Sequence, residues 1–269
     1  MLRPLLRRIS LLLALLLPFL LPACGGGGGA AKAKAAATTR TVRPQMLPAE
    51  DLPASDTGAL FGEIRFAGEA PARFPIGARK MSECCAHEDV EHLSDIVIVE
   101  EGKLAGVLVR VTRGYPADLV PPTPAEPAVL DQRGCIYTPH VLALRAGQPL
   151  EVHNSDPTKH NVNAKATKNA SPGNEYMGEG QKPIRLLFEH AESAIHFKCD
   201  IHPWMEAQVH VVEHPWFAVT GTDGAFRIEG VPPGTYTIEA LHEVYGRLVV
   251  KDVRVEAGRA TGFALTFEP

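Results

Sequence analysis

Several classes of protein are disfavoured by what this chain has little of. Its 269 residues include only five Cys and 6% aromatic side chains, and the formal net charge is -4. Five Cys are too few for a disulfide-stapled scaffold, so each thiol needs its own explanation. A chain without a basic surplus lacks the electrostatic footprint of a nucleic-acid-binding protein, and we expect no nucleic-acid partner. The remaining composition is that of an ordinary globular protein.

Long hydrophobic runs are also scarce, and the one that stands out lies near the first residue. Arg3, Arg7 and Arg8 precede a Leu-rich stretch, 9–21, which Pro18 interrupts. A stretch of this length is too short to cross a membrane, whereas basic residues followed by a short apolar run are typical of an export signal.

The export signal ends in LPAC, which resembles a bacterial lipobox with Cys24 as the residue that receives the lipid. We predict a signal peptide at 1–23 and a membrane anchor through the lipid on Cys24. Because Gly rather than Asp follows this Cys, the expected location is the periplasmic face of the outer membrane, with the periplasm or cell envelope as the broader expectation. Pro22 departs from the usual motif, so ordinary cleavage near Ala23 is the alternative.

The stretch that follows, 24–57, has no apolar periodicity. It begins with Cys and five consecutive Gly and continues through Ala, Lys, Thr and Pro. This composition predicts a flexible tether.

The rest of the chain shows no helical period of ten or more residues and is rich in short alternating stretches. Such stretches, separated by Gly, Pro, Asn and Asp, predict an all-β protein built from sandwiches. The prolines of 114–127 lack the N–H that a sheet ladder needs, so this stretch is predicted to be a surface excursion. The clearest predicted strands are 62–66, 95–100, 106–112, 140–146, 149–154, 184–190, 194–199 and 207–214.

One strand end carries three side chains that bind soft metal ions. The sequence AIHFKCDIHPWM (194–205) contains Cys199, His202 and Met205 in the spacing Cys-x2-His-x2-Met. A thiolate, an imidazole and a weak axial thioether suit copper, and a type 1 site needs a second imidazole. His160, at the exit of an upstream strand, is the candidate.

With these motifs, residues 58–214 resemble a cupredoxin with a short, amicyanin- or plastocyanin-like ligand loop. The resemblance implies a Greek-key β-sandwich that holds one type 1 copper through His160, Cys199, His202 and Met205.

The same resemblance implies roles for neighbouring residues. The backbone N–H of Asn161 would donate to the Cys199 sulfur. His202 would lie near the surface, with Pro203 and Trp204 as an apolar electron-transfer patch, although Trp204 could instead be a core aromatic. The implied partner is a redox protein, for example a c-type cytochrome or a dehydrogenase.

Ile201 departs from the amicyanin-like pattern, in which a proline occupies this position. Its backbone N–H is therefore available for a second hydrogen bond to the Cys199 sulfur. A hydrogen bond to the sulfur stabilises the reduced form of the copper site. We therefore expect a higher reduction potential than in a proline-containing loop.

A donor set of two His, one Cys and one Met leaves no open coordination position for a substrate. We therefore expect outer-sphere electron transfer and no enzymatic reaction. The alternatives are a copper storage or delivery protein, a site filled by zinc, and a structural or glycan-binding envelope lipoprotein with a vestigial site.

In the final block, 215–269, apolar residues alternate with polar ones on either side of two predicted turns, TDG and PPG. Its run TDGAFRIEGVPPGTYTIEA resembles carboxypeptidase regulatory-like, transthyretin-type domains, which implies a small second β-sandwich that acts as a spacer or binds carbohydrate. Because 55 residues are few for such a sandwich, the strand at 62–66 could complete either sheet.

Three Cys remain after this assignment. We expect a disulfide between Cys135 and either Cys84 or Cys85, because adjacent Cys rarely bridge each other without strain. A second metal site built from Cys84, Cys85, His87 or Cys135 and His140 is the alternative.

Overall fold

The computed structural model describes residues 38–84, 87 and 89–269. The predicted signal peptide, the lipid acceptor Cys24 and one of the adjacent thiols, Cys85, lie outside the described residues. Within the described part of the chain, no helix is long and apolar enough to cross a membrane.

Strands make up nearly all of the regular structure, so the all-β prediction is confirmed. The first group is β1 (Thr39–Thr41), β2 (Gln45–Asp51), β3 (Gly58–Phe66), β4 (Val99–Glu100), β5 (Lys103–Leu104) and β6 (Leu108–Arg113). The second is β7 (Ala128–Gln132), β8 (Tyr137–Thr138), β9 (Val141–Arg145), β10 (Pro149–Asn154), β11 (His160–Lys165), β12 (Asn174–Met177), β13 (Ile184–Leu187), β14 (Glu192–Lys198) and β15 (Glu206–Val212). The third is β16 (Phe217–Val219), β17 (Ala225–Val231), β18 (Gly234–His242), β19 (Gly246–Val255) and β20 (Arg259–Phe267). Two 3-10 helices, Gly77–Lys80 and Ala117–Leu119, lie in connections.

The second group of strands forms one complete sandwich, which we call the inserted sandwich (128–212). One sheet has the order β13-β10-β7-β8 and the other β12-β11-β14-β15-β9. Alternate side chains of each strand point into a common core, as Ile195 and Phe197 of β14 do with 0% exposure. The predicted metal ligands all lie in this sandwich.

The other two groups form a second sandwich from separated parts of the chain, the split sandwich. Its sheets have the orders β1-β19-β18-β6-β16 and β2-β20-β3-β5-β4, with β17 paired to β3, and it has a core of its own. The predicted division into domains at 58–214 and 215–269 is wrong, because strands from both ranges share the sheets of the split sandwich. Strand β3 pairs in parallel with β20 from Ala59↔Ala260 to Phe66↔Phe267, and its Leu60 and Ile64 side chains lie in the core of the split sandwich.

Part of the predicted tether is also strand. Thr39–Thr41 pairs with β19, and Gln45–Asp51 pairs with β20, so the tether prediction for 24–57 is wrong over these residues. Both are edge strands whose side chains are mostly exposed. Edge strands are held by backbone hydrogen bonds, and a polar sequence can supply those without any apolar periodicity.

His140 joins the two sandwiches. One ring nitrogen, Nδ1, lies 3.0 Å from the Glu206 carbonyl oxygen, and Nε2 lies 3.2 Å from the Glu243 carboxylate in the turn after β18. Burial lowers the pKa of His140, but the hydrogen bond and charge of Glu243 outweigh it and the pKa is raised. The contact therefore strengthens as an ion pair when His140 is protonated.

Glu192, at the start of β14, anchors the loop after β11. Its carboxylate accepts hydrogen bonds from the Thr167 hydroxyl at 2.7 Å and from the backbone N–H groups of Lys168 and Asn169 at 2.9 and 3.0 Å. Burial raises the pKa of Glu192, but these hydrogen bonds outweigh it and lower the pKa to about 2. The ionised carboxylate is therefore the form that the fold requires.

We expect Glu192→Gln to lower the free energy of unfolding at pH 7 by roughly 2 kcal/mol. A carboxyl whose pKa is lower in the folded protein stabilises it fully above the unfolded pKa near 4.5, and this contribution is lost as pH falls towards about 2. Urea unfolding from pH 7 to pH 2 measures both effects. The exposed Glu189→Gln is the control, and a Glu192→Gln curve parallel to wild type at every pH would contradict this account.

Candidate metal centre

The ligand loop, 199–205, connects the paired ends of β14 and β15. Its neck is closed by Lys198 opposite Glu206 in the sheet and by a 3.1 Å hydrogen bond from the Cys199 N–H to the Met205 carbonyl oxygen. The Met205 N–H in turn donates to the His202 carbonyl oxygen at 2.9 Å. These bonds fix the turn that carries Cys199, His202 and Met205.

His160 reaches this loop from β11, the strand beside β14. Its Nδ1 lies 3.0 Å from Nδ1 of His202, and the Cys199 sulfur lies 3.8 Å from the same His202 nitrogen. The three donor atoms are within 4.8 Å of one another, and none of the three residues is more than 2% exposed. Met205, the fourth predicted ligand, is 0% exposed and packs in the same core as Cys199.

A buried carboxylate orients His160. The Nε2 of His160 lies 2.8 Å from Asp156 Oδ2, and the same carboxylate accepts the backbone N–H groups of Gly134 at 2.6 Å and Cys135 at 2.8 Å. Burial raises the pKa of Asp156, but the bonds from His160, Cys135 and Gly134 outweigh it and the pKa is lowered. With Nε2 of His160 turned to Asp156, its Nδ1 faces the ligand loop. Sequence reasoning missed Asp156, although it stands four residues before His160.

The Cys199 thiol is strongly acidic. Burial raises its pKa, but hydrogen bonds from the rings of His160 and His202 and from the backbone N–H groups of Asn161 and His202 outweigh this and lower the pKa to about 5. The sulfur is therefore a thiolate at neutral pH, which is the form that binds metals.

The side chain of Asn161 holds the ligand loop. Its Oδ1 accepts the backbone N–H groups of Asp200 at 2.8 Å and Ile201 at 3.3 Å. The predicted bond from Ile201 N–H to the Cys199 sulfur is therefore corrected, because the Asn161 amide reaches across the loop and takes this donor. The second backbone group that stabilises the thiolate is the N–H of His202.

Three amides surround the carboxylate of Asp200 within the loop. The Nδ2 groups of Asn163, Asn174 and Asn161 donate to Asp200 Oδ2 at 2.8, 2.9 and 3.3 Å, and Lys198 pairs with Oδ1. Sequence reasoning missed this network, since its members are dispersed over three strands and a loop.

The prediction that His202 lies near the surface is wrong, since the residue is 1% exposed. Trp204 covers part of it, with ring centroids 5.4 Å apart, and the indole N–H donates to the Cys135 carbonyl oxygen at 2.9 Å. Trp204 itself is half-buried, and Pro203 is exposed. The segment that lies over Trp204 belongs to the connection between β3 and β4. Its described residues before β4 form no long strand, so the sequence pattern does not predict it as a structural element.

The structure pairs Cys84 with Cys135 in a disulfide. Among the described members of the alternative second metal site, His87 and His140 do not join these sulfurs: His87 Nε2 lies 3.1 Å from the Ser155 carbonyl oxygen, and His140 lies at the contact between the sandwiches. Both half-cystines are 0% exposed.

Comparison with known proteins gives two likenesses. Residues 202–268 match the carboxypeptidase regulatory-like domain family, so the predicted second domain type is confirmed, with β3 to β6 completing its sandwich. No curated protein matches the chain.

Solved cupredoxins are among the similar structures. A purple cupredoxin from Nitrosopumilus maritimus is 20% identical, with 32% of this chain and 99% of that chain covered and a TM-score of 0.28. A reduced amicyanin variant is 22% identical, with 39% and 98% covered and a TM-score of 0.29. A copper-containing nitrite reductase from Thermus scotoductus is 22% identical with a TM-score of 0.31; 35% of this chain is covered, and 27% of the reductase.

We expect Asn161→Ala to lower the free energy of unfolding of the metal-free protein by roughly 1–2 kcal/mol, because two loop N–H groups lose their acceptor. Asn163→Ala is the matched control, since that amide donates one bond to Asp200, and its effect should be smaller. Thermal or urea unfolding measures both. Equal losses in the two variants would show that the acceptor role of Asn161 does not matter.

Proposed function

We propose that this protein is a mononuclear copper protein that transfers electrons by an outer-sphere route. The observation that carries the proposal is the buried group of two imidazoles and one thiol, whose donor atoms lie within 4.8 Å of one another. Soft and borderline donors in this combination suit copper, and Met205, buried in the same core, would be the fourth donor. Copper, when bound, supplies a one-electron couple at this position.

The protein's own contribution is a donor set that is in place before a metal arrives. Asp156 fixes the tautomer of His160, and the loop hydrogen bonds of Asn161 fix Cys199 and His202. Because these groups are buried and hydrogen-bonded, a change of charge at the site requires little movement of the chain. The three donor residues are at most 2% exposed, so a substrate has little access to the site.

Burial of the site favours electron transfer over copper storage or delivery, since a carrier that exchanges metal needs accessible ligands. The proposed exit for electrons is Trp204, which contacts His202 and borders a groove lined by Phe74, Ile76 and Leu93. Phe74 is 60% exposed, and an apolar patch of this kind suits a redox protein partner such as a c-type cytochrome or a dehydrogenase.

The location and the second domain belong to the proposal as well. The sequence of 1–24 supports export to the cell envelope with a lipid on Cys24, and the split sandwich is proposed to act as a spacer between that anchor and the copper site.

Copper-reconstituted protein should show an intense visible band from thiolate-to-copper charge transfer and a narrow copper hyperfine splitting. The Cys199→Ser variant should lose the band, because the thiolate is its source, while the fold is retained. Optical and paramagnetic resonance spectra measure this, and reversible voltammetry with fast self-exchange separates a carrier from a storage protein. Weak binding with spectra of ordinary, non-thiolate copper would overturn the proposal.

Met205→Leu tests the fourth ligand. We expect the charge-transfer band to remain and the reduction potential to rise, because a donor to the more highly charged oxidised ion is replaced by a side chain of similar volume. Voltammetry measures the shift. The variant Val209→Leu, at another fully buried core position of the same sandwich, controls for repacking, and equal potentials in Met205→Leu and wild type would exclude Met205 as a ligand.

A further inference from the structure

The disulfide lies directly beside the metal-binding group. The sulfurs of Cys84 and Cys135 are within 4.8 Å of a ring nitrogen of His202, and the Cys135 sulfur is also within 4.8 Å of His160 and Asp156 donor atoms. Cys135 belongs to the inserted sandwich, whereas Cys84 belongs to the excursion that leaves the split sandwich after β3. The described residues of this excursion from 74 to 94 are called the cap below.

Apart from the disulfide, a small set of noncovalent contacts holds the cap on the inserted sandwich. Ala78 is 0% exposed in the core of that sandwich, His92 Nε2 lies 3.1 Å from the Gly134 carbonyl oxygen, and His87 Nε2 lies 3.1 Å from Asp156 Oδ1.

The backbone hydrogen bonds of the cap, such as Ile76 N–H to the His92 carbonyl and Ser94 N–H to the Phe74 carbonyl, close within the cap itself. The ion pair between Asp89 and Arg133 is exposed, and an exposed pair contributes little stability. A short segment held by a few such contacts can open locally without global unfolding, and a covalent bond to the sandwich suppresses that opening.

One further contact shows how closely the cap fits over the site. Gly77 begins the short 3-10 helix of the cap, and a Cβ at this position would lie 2.4 Å from the ring of Trp204. The cap backbone therefore rests on the indole that itself covers His202. Lifting the cap would expose Trp204 and, behind it, the metal-binding group.

We propose that the Cys84–Cys135 disulfide is a latch that closes the cap over the site after metal entry. In the open form both residues are thiols and the ligands are accessible. Closure forms the S–S bond, while the two thiols give up two electrons and two protons to a disulfide oxidant, which becomes a dithiol. Since both sulfurs are fully buried once the cap is closed, reductants reach them slowly and the closed form persists.

Closure of the cap is independent of which metal binds, whereas retention of copper rests on the proposed function. The test therefore uses metal-free protein and measures the alkylation rate of Cys199 by peptide mass spectrometry. We compare the wild-type disulfide form with the double variant Cys84→Ala and Cys135→Ala. Alkylation should be at least about tenfold faster in the double variant, because a cross-link over 51 residues strongly suppresses opening.

Val211→Ala is the matched control. This fully buried residue on β15 lies opposite Glu192, at the far end of the strand pair from the ligand loop, so the variant loses stability without touching the cap. Its Cys199 alkylation should change less than about twofold at temperatures well below unfolding. Equal rates in Val211→Ala and the double variant would overturn the latch.

A second measurement does not depend on the variants. Wild-type protein kept reduced from purification should alkylate quickly at Cys199 and slow by at least about tenfold after treatment with oxidised glutathione. An unchanged rate after the disulfide has formed would also overturn the latch. For copper-loaded protein, release to a chelator should be faster in the double variant. If the latch holds in metal-free protein but copper gives no thiolate band, the proposed function fails and the latch stands.

Discussion

The carboxylate of Asp156 is the contact on which the site depends. It receives the Nε2–H of His160 and two backbone N–H groups beside the half-cystine Cys135. One buried charge thus fixes a proposed metal ligand and the strand end to which the cap is tied. A buried carboxylate is costly unless its hydrogen bonds are satisfied, so the surrounding backbone must keep this geometry. The orientation of His160 follows from that requirement.

The electrostatics of the metal-free group prepare it for a cation. The pKa of Cys199 is lowered to about 5, and the pKa of His160 is raised because the Asp156 bond and the Cys199 charge outweigh burial. The group therefore holds a thiolate beside two imidazole rings whose Nδ1 atoms lie 3.0 Å apart. A cation held by these donors would offset the charge of the buried thiolate, and the sulfur is already in the deprotonated form that metal binding requires.

The sequence allows prediction of the parts that depend on local spacing. Cys199, His202 and Met205 lie within seven residues. Their donor types call for a second imidazole, and the place of His160 at the exit of an upstream strand makes it the candidate. The cover over His202 could not be predicted, because it comes from a loop more than a hundred residues upstream with no periodic pattern. The strands β1 and β2 could not be predicted either, because backbone hydrogen bonds to their neighbours hold them and their mostly exposed side chains carry no apolar pattern. The acceptor of the Ile201 N–H could not be predicted, because it is the side-chain oxygen of Asn161, which comes from another strand.

The insertion of one sandwich into the other explains why the cap can act at the site. A chain that leaves β3, crosses to the inserted sandwich and returns to β4 is anchored in the split sandwich at both ends. The disulfide then adds a third attachment directly at the ligands, while His140 and Glu243 join the sandwiches on the other side of β15. These attachments link the two sandwiches at the end of the fold that carries the ligand loop, where His202 is 1% exposed. The split sandwich therefore supplies the cap that lies over Trp204, in addition to its proposed role as a spacer.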